Sequence, residues 1–148
     1  MTEALPDDFP RRLIEHCPDA IIYADAGGTI RYWNPAATRI FGYRPAEAIG
    51  ARLDLIIPER LRGRHWEGWD RVMAGGESRY PDGALLAVPA LRRDGTQFSV
   101  EFTVLPVKDD GGALIGIAAF LRDATSRFEE MRTLRREVAA LKAAASGA

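Results

Sequence analysis

Short glycine-containing turns between strand-like segments are the feature that most restricts the fold of this chain. Ala-Gly-Gly separates the segments at 20–25 and 29–34, and the turns RDG and KDDGG join the segments at 83–93, 96–107 and 113–122. Turns this short connect antiparallel neighbours, because a parallel connection needs a dozen residues or more. We therefore predict an antiparallel sheet assembled from two groups of hairpin-linked strands.

Helical segments lie between the two groups of strands. Asn34 followed by proline is a typical helix start and opens a short helix over 35–42, and a second short helix over 45–50 ends on glycine. A longer helix is predicted from Pro58 to about Ala74. An antiparallel sheet with helices on one face belongs to the α+β class.

The fourth strand shows which of its faces is buried. Phe98, Val100, Phe102 and Val104 alternate with polar residues, so one side of this strand is predicted to face a core. Pro89, in the third strand, has no N–H to donate to a neighbouring strand. The third strand is therefore predicted to lie at an edge of the sheet.

Composition and charge exclude several classes of protein. The 148 residues carry a net charge of −1, which gives no electrostatic attraction for nucleic acid or an anionic membrane. Cys17 is the one cysteine, so no disulfide forms within the chain. No apolar run reaches the roughly 18 residues that cross a bilayer, and the N-terminus lacks the order of a secretion signal. We expect a cytoplasmic protein with neither a nucleic-acid nor a membrane partner.

The chain is predicted to have three parts. Residues 1–8 form a loose N-terminus, 9–123 form one domain, and 124–148 form a C-terminal helix. Within the domain, GGESRYPDG (75–83) is predicted to be a loop.

The C-terminal helix carries a coiled-coil pattern. Its apolar residues are spaced three and four apart, namely Met131, Leu134, Val138, Leu141 and Ala145. This spacing favours a parallel homodimer, and the alternative is an amphipathic helix that folds back on its own domain.

Three stretches together resemble a PAS sensor domain. PDAIIYADAGGTIRYWNPAATRIFGYRPAEAIG (18–50) is similar to its front half, and RRDGTQFSVEFTVLPV with IGIAAFLRDAT is similar to its back half. Asp123 and Thr125 stand at the Asp-x-Thr exit motif of the family. The resemblance implies a five-stranded antiparallel sheet of order 2-1-5-4-3 and a signal that leaves through the helix beginning there. This order also places the third strand at an edge, as Pro89 predicts independently.

His65 lies on a helical face that is otherwise apolar, with Leu61, Trp69 and Val72. The simplest interpretation is a partly buried histidine that packs on Trp69. We expect no enzyme, because no Ser/His/Asp set, carboxylate pair or metal-spaced cluster accompanies this imidazole. Aromatic residues at the spacing of Trp66 and Trp69 are more typical of a core than of cofactor contacts, and an exposed position is an alternative for Trp66.

The strongest resemblance is to the oxygen-sensing, haem-binding FixL-type PAS domains. These domains place the iron-ligating histidine after Pro-Glu-x-x-Arg-x-x-His, and PERLRGRH (58–65) has the same register. The resemblance implies b-type haem with His65 as the axial ligand of the iron. It also places Arg71 near the propionates and Leu86 where those domains carry an arginine, so the distal side is expected to be apolar. The predicted haem contacts are His65, Trp69, Arg71, Leu86, Phe102 and Val104.

Other ligands, or none, remain alternatives. The segment that binds flavin covalently in light-sensing PAS domains is absent, which leaves a non-covalent flavin or another small ligand. Phe41, Phe98, Phe102 and Phe120 are large enough to fill the interior themselves. The leading hypothesis is a gas or redox sensor that signals through the C-terminal helix to an output domain or partner, such as a histidine kinase in a two-component system. The alternative is a haem-free PAS domain for small-ligand binding or protein–protein interaction.

Overall fold

The computed structural model describes residues 3–75 and 83–147. Residues 76–82 of the predicted loop, and residues 1, 2 and 148 of the predicted terminal segments, lie outside the described residues. The helices are α1 (Phe9–His16), α2 (Pro35–Phe41), α3 (Pro45–Ala48), α4 (Glu59–Met73) and α5 (Thr125–Ser146), with a 3-10 turn at Leu53–Ile56. The strands are β1 (Ala20–Asp25), β2 (Ile30–Trp33), β3 (Leu86–Leu91), β4 (Gln97–Lys108) and β5 (Leu114–Asp123).

The five strands form one antiparallel sheet in the order β2-β1-β5-β4-β3. This order confirms the predicted α+β architecture. Strand β3 lies at an edge, with Pro89 opposite Ser99 of β4. The missing N–H of Pro89 therefore costs no hydrogen bond to a second strand, as the sequence indicated.

One face of the sheet, the helical face, carries the hydrophobic core with α2 and α4, whereas the first turns of α5 lie against the other face. Register partners point to the same side, so Ile22 of β1 and Ala119 of β5 share the helical face, and Leu121 is buried there. Phe120, the neighbour of Leu121, points to the opposite face and is partly exposed. The expectation that Phe120 fills the interior is therefore wrong, because the period-2 alternation of the strand turns its ring outward.

Asn34 is the buried centre of the N-terminal half of the domain. Its side chain accepts hydrogen bonds from the backbone N–H of Ala37 (3.0 Å) and of Ile21 (2.9 Å). Its amide nitrogen donates to the carbonyls of Ile14 (3.0 Å) and Asp19 (3.1 Å). The sequence predicted only the helix cap, whereas this one side chain joins α1, β1 and α2.

Helix α5 continues from the end of β5 and leaves its apolar stripe uncovered. Met131, Leu134, Val138 and Leu141 are between 45% and 71% exposed. The alternative in which this helix folds back on its own domain is therefore not the arrangement seen. Among the described helices, none combines the length and apolar composition needed to cross a membrane.

Candidate functional site

Two tryptophans of α4 attach this helix to neighbouring turns. Trp66 Nε1 donates a hydrogen bond to Asp54 Oδ1 (2.7 Å), and the Arg52 guanidinium lies 4.3 Å from the centre of a Trp66 ring. Trp69 is buried, and its Nε1 donates to the carbonyl of Ala26 in the β1–β2 turn (3.0 Å). Helix α4 is thus held at its tryptophans by directional bonds as well as by apolar contact.

The β1–β2 turn approaches Trp66 so closely that it needs glycine. Gly28 has φ +84°, and a Cβ at this position would overlap the Trp66 ring. An exposed Trp66, the alternative left open by the sequence, is therefore wrong: the ring is partly buried against this turn and packs on the core. Nothing local in the sequence of α4 indicates this contact, because Gly28 is far away along the chain.

His65 packs among the same aromatic side chains. The centre of its ring lies 4.6 Å from that of Trp66 and 5.9 Å from that of Trp69. Nδ1 is buried and has no hydrogen-bond partner among the described residues. Burial lowers the pKa of His65 below its usual 6.5, the nearby Asp54 carboxylate acts in the opposite direction, and Arg52 lowers it further. The imidazole is therefore mainly neutral at pH 7, which is the form that ligates metals.

On the helical face, side chains become more exposed toward the β3 edge of the sheet and toward the C-terminal end of β4. Val100 is 1% exposed, whereas Val88 on β3 is 41% exposed and Val104, further along β4, is 36% exposed. Leu86 is the register partner of Phe102, and both are partly buried on this same face. We call Leu86, Val88, Phe102 and Val104 the open end of the sheet. The structure thus brings three of the predicted haem contacts together in one apolar patch.

Arg71 is separated from this arrangement. It is exposed on α4, and six residues of helix place it about 120° around the axis from His65. Its predicted role beside a propionate stays a prediction.

The exit motif forms the start of α5. The Thr125 N–H donates to Asp123 Oδ1 (3.0 Å), and Thr125 Oγ1 accepts from the N–H of Ser99 on β4 (3.2 Å). Arg92 Nη2 lies 2.8 Å from Asp123 Oδ2. Burial alone would raise the pKa of Asp123, but the hydrogen bonds from Arg92 and Thr125 outweigh it and lower the pKa. The sequence indicated Asp123 and Thr125 but missed Arg92.

Two grooves on the described surface follow α5. One, of about 260 Å³, lies between its first turns and β3–β4 and is lined in part by Pro89, Ser99 and Phe128. The other, of about 390 Å³, runs along the apolar stripe beside Leu134 and Val138. His65 lines neither of them, so its imidazole is a packed group rather than part of these grooves.

Comparisons with known proteins agree with this geometry. A model described as the PAS fold matches residues 14–129. Sensor protein FixL of Bradyrhizobium diazoefficiens is 30% identical over 125 residues, which cover 84% of this chain and 24% of FixL. Oxygen sensor protein DosP of Escherichia coli is 28% identical over 112 residues, covering 76% of this chain and 14% of DosP. This chain therefore spans less than a quarter of the length of either relative.

A solved structure also shares the fold. The crystal structure of the PAS domain of a protein from Colwellia psychrerythraea superposes with a TM-score of 0.66 at 22% identity. The superposition covers 79% of this chain and 95% of that one.

Proposed function

We propose, from the premise that this chain belongs to the PAS family, that it is a cytoplasmic sensory module that binds b-type haem through His65. It detects a gas or a redox change at this site, signals through α5 and catalyses no reaction. The observation that carries the proposal is the buried imidazole of His65, whose Nδ1 has no hydrogen-bond partner in the described part of the chain. A buried polar atom without a partner calls for an explanation, and a role in ligand binding is one.

The residues around His65 suit a porphyrin in their chemistry. Its lowered pKa keeps the imidazole neutral, and the open end of the sheet presents apolar surface on the helical side. Haem, when bound, supplies an iron that takes up diatomic gases or changes its oxidation state. Leu86, Phe102 and Val104 would exclude water from the ring, and Arg71 would meet a propionate.

The names of two relatives favour a sensory function, and the motif at residues 58–65 favours haem. DosP is named an oxygen sensor and FixL a sensor protein. The Pro-Glu-x-x-Arg-x-x-His register resembles that of FixL-type domains at residues 58–65.

The test is an absorption spectrum with a matched histidine control. The chain is expressed with added haem, and a Soret band is expected in the wild type. His65→Ala should abolish the band, whereas His16→Ala, which removes the other histidine, should retain it. Haem ligation at His65 is wrong if the wild type shows no band or if His65→Ala keeps it.

A haem-free sensory module is the second candidate, and the aromatic core favours it. Phe41 lies 5.6 Å from both Trp33 and Phe98, measured between ring centres, and all three side chains are buried. Such packing fills much of the interior with side chains. An absorption maximum near that of flavins in the purified chain would instead identify a non-covalent flavin.

The partner of α5 is proposed to be the same helix of a second copy, followed by an output domain of the histidine kinase type. A row of exposed apolar residues at coiled-coil spacing supports this dimer. Sedimentation should show a dimer that Leu134→Glu dissociates, while Arg136→Glu, on the other side of the helix, leaves it intact. A monomeric wild type would exclude the coiled coil in this chain.

A further inference from the structure

Arg92 connects three parts of the molecule through one guanidinium. Its Nη1 donates to the carbonyl of Ile40 in the last turn of α2 (2.7 Å), and its Nη2 donates to Asp123 Oδ2 (2.8 Å). The guanidinium group lies over the ring of Phe98 in β4, with Arg92 Cζ 3.8 Å from the ring centre. One side chain therefore contacts the helical layer, the core and the beginning of α5.

The core side of this junction is tightly packed. Phe98 meets Phe41 edge-on, and Phe41 is fully buried. The carbonyl of Phe41 also accepts a hydrogen bond from the N–H of Arg93 (2.8 Å). A change in the packing of Phe41 therefore displaces the groups that Arg92 touches, because a close-packed interior transmits strain.

The tail side of the junction holds the N–H of the first residue of α5. Asp123 Oδ2 accepts a hydrogen bond from Arg92, and Asp123 Oδ1 accepts one from the N–H of Thr125, the first residue of the helix. A guanidinium is planar and its donors are fixed in a fork, so it cannot follow Ile40 and Asp123 independently. Displacing Arg92 therefore also moves the carboxylate that accepts the hydrogen bond of the Thr125 N–H.

We propose that Arg92 is a positioning residue that couples the packing of the aromatic core to the N-terminus of α5. This inference rests on the proposed sensory function but not on the identity of the ligand. Any ligand that moves α2 or Phe98 would act through the same guanidinium.

A second ion pair provides a matched control. Arg127 of α5 forms a bidentate pair with Glu101 of β4, with Nη2 2.6 and 2.7 Å from the two carboxylate oxygens. This pair also fastens α5 to the sheet, but in the described part of the chain no side-chain hydrogen bond or cation–π contact joins either residue to α2 or the aromatic core. It should hold the helix without coupling it to the interior.

The test measures amide hydrogen exchange at Thr125 in the chain without haem. Phe41→Leu serves as the core perturbation, and the amides of β1 and β5 report whether the domain stays folded. In the wild-type background, Phe41→Leu should raise exchange at Thr125 by about threefold to tenfold, the size expected for losing a partly exposed charged hydrogen bond. In Arg92→Gln it should produce no further rise, whereas in Arg127→Gln the rise should persist.

The outcomes distinguish coupling of the aromatic core to α5 from mere attachment of α5 to the sheet. Coupling by Arg92 is overturned if the rise survives in Arg92→Gln, if Arg127→Gln removes it equally, or if Phe41→Leu leaves Thr125 unchanged. Should Arg92→Gln unfold the domain, Arg92→Lys replaces it, because lysine keeps the charge but cannot bond Ile40 and Asp123 together. Failure of the Soret test does not affect these measurements, since no haem is present.

Discussion

Asn34 and His65 are two polar side chains of the same domain. The side chain of Asn34 is fully hydrogen-bonded, whereas a buried nitrogen of His65 has no partner among the described residues. Every donor and acceptor direction of the Asn34 amide is used, by backbone groups from α1, β1 and α2. His65 Nδ1 is equally shielded from water, but nothing in the described structure bonds to it. The hydrogen bonding of the Asn34 side chain is therefore complete, whereas that of His65 Nδ1 is not.

The difference separates a side chain that holds the structure through hydrogen bonds from a buried nitrogen that does not. A satisfied buried amide fixes the positions of its neighbours, because moving any of them leaves a polar group without a partner. The unpartnered Nδ1 of His65 fixes no neighbour by hydrogen bonding. The open end of the sheet, with Val88 and Val104 partly exposed, lies on the helical side of the sheet.

The largest effect is expected at Asn34. Asn34→Ala removes four hydrogen bonds and leaves the Ile21 N–H and the carbonyls of Ile14 and Asp19 unpaired. Unfolding in urea should show a loss of about 3 kcal/mol or more. Asn34→Asp should also destabilise, because its carboxylate faces two carbonyl oxygens. A loss below about 1 kcal/mol for Asn34→Ala would remove the contrast with His65.

An intermediate effect is expected at Gly28, where the β1–β2 turn meets α4. Gly28→Ala forces alanine to a positive φ and displaces the Trp66 ring, so the free energy of unfolding should fall by roughly 2–4 kcal/mol. Gly112→Ala is the matched control, because Gly112 has φ +86° with no atom near its Cβ position, and it should cost only about 1 kcal/mol.

The excess cost at Gly28 can be traced to Trp66 directly. In a Trp66→Ala background, Gly28→Ala should cost no more than Gly112→Ala, because only the backbone strain remains. If the excess persists there, the contact between Gly28 and Trp66 is not what fastens the turn to α4.

The sheet could be predicted from the sequence because its determinants are local. The short glycine turns indicate antiparallel neighbours, the alternation over Phe98 to Val104 indicates a buried face, and Pro89 indicates an edge. Each signal acts within a few residues, and the pairing confirms the antiparallel neighbours and the edge position of Pro89. The buried face is confirmed at Phe98 and Val100 but not at Val104, which is 36% exposed. Phe120 was misplaced because its size was considered without the strand alternation that decides its face.

The candidate site was harder to predict from the sequence, because its contacts join residues that are far apart along the chain. His65 could be singled out as an imidazole on an apolar face, but the Trp66 contacts with Asp54 and Gly28 depend on how α4 docks. Arg92 likewise joins Ile40 to Asp123 across most of the domain, and nothing near it in the sequence marks that role.

The smallest effect is expected at His65, and it depends on pH. Burial lowers its pKa in the folded chain, so below about pH 6.5 the unfolded state binds more protons than the folded state. Stability should therefore fall as the pH drops through 6.5 and level off below the folded pKa. His65→Leu removes this titration and replaces a nitrogen that has no partner, so at pH 7.5 it should change stability by less than about 1 kcal/mol.

The difference between the wild-type and His65→Leu unfolding curves isolates this one group, because the carboxylates titrate alike in both chains. In urea unfolding experiments, the free energy of unfolding of His65→Leu should rise relative to that of the wild type as the pH falls from 7.5 to 5.5. A constant difference would show that His65 keeps its ordinary pKa in the folded chain. A large loss at pH 7.5 would show that the imidazole makes a bond of its own, and His65 would then be structural like Asn34.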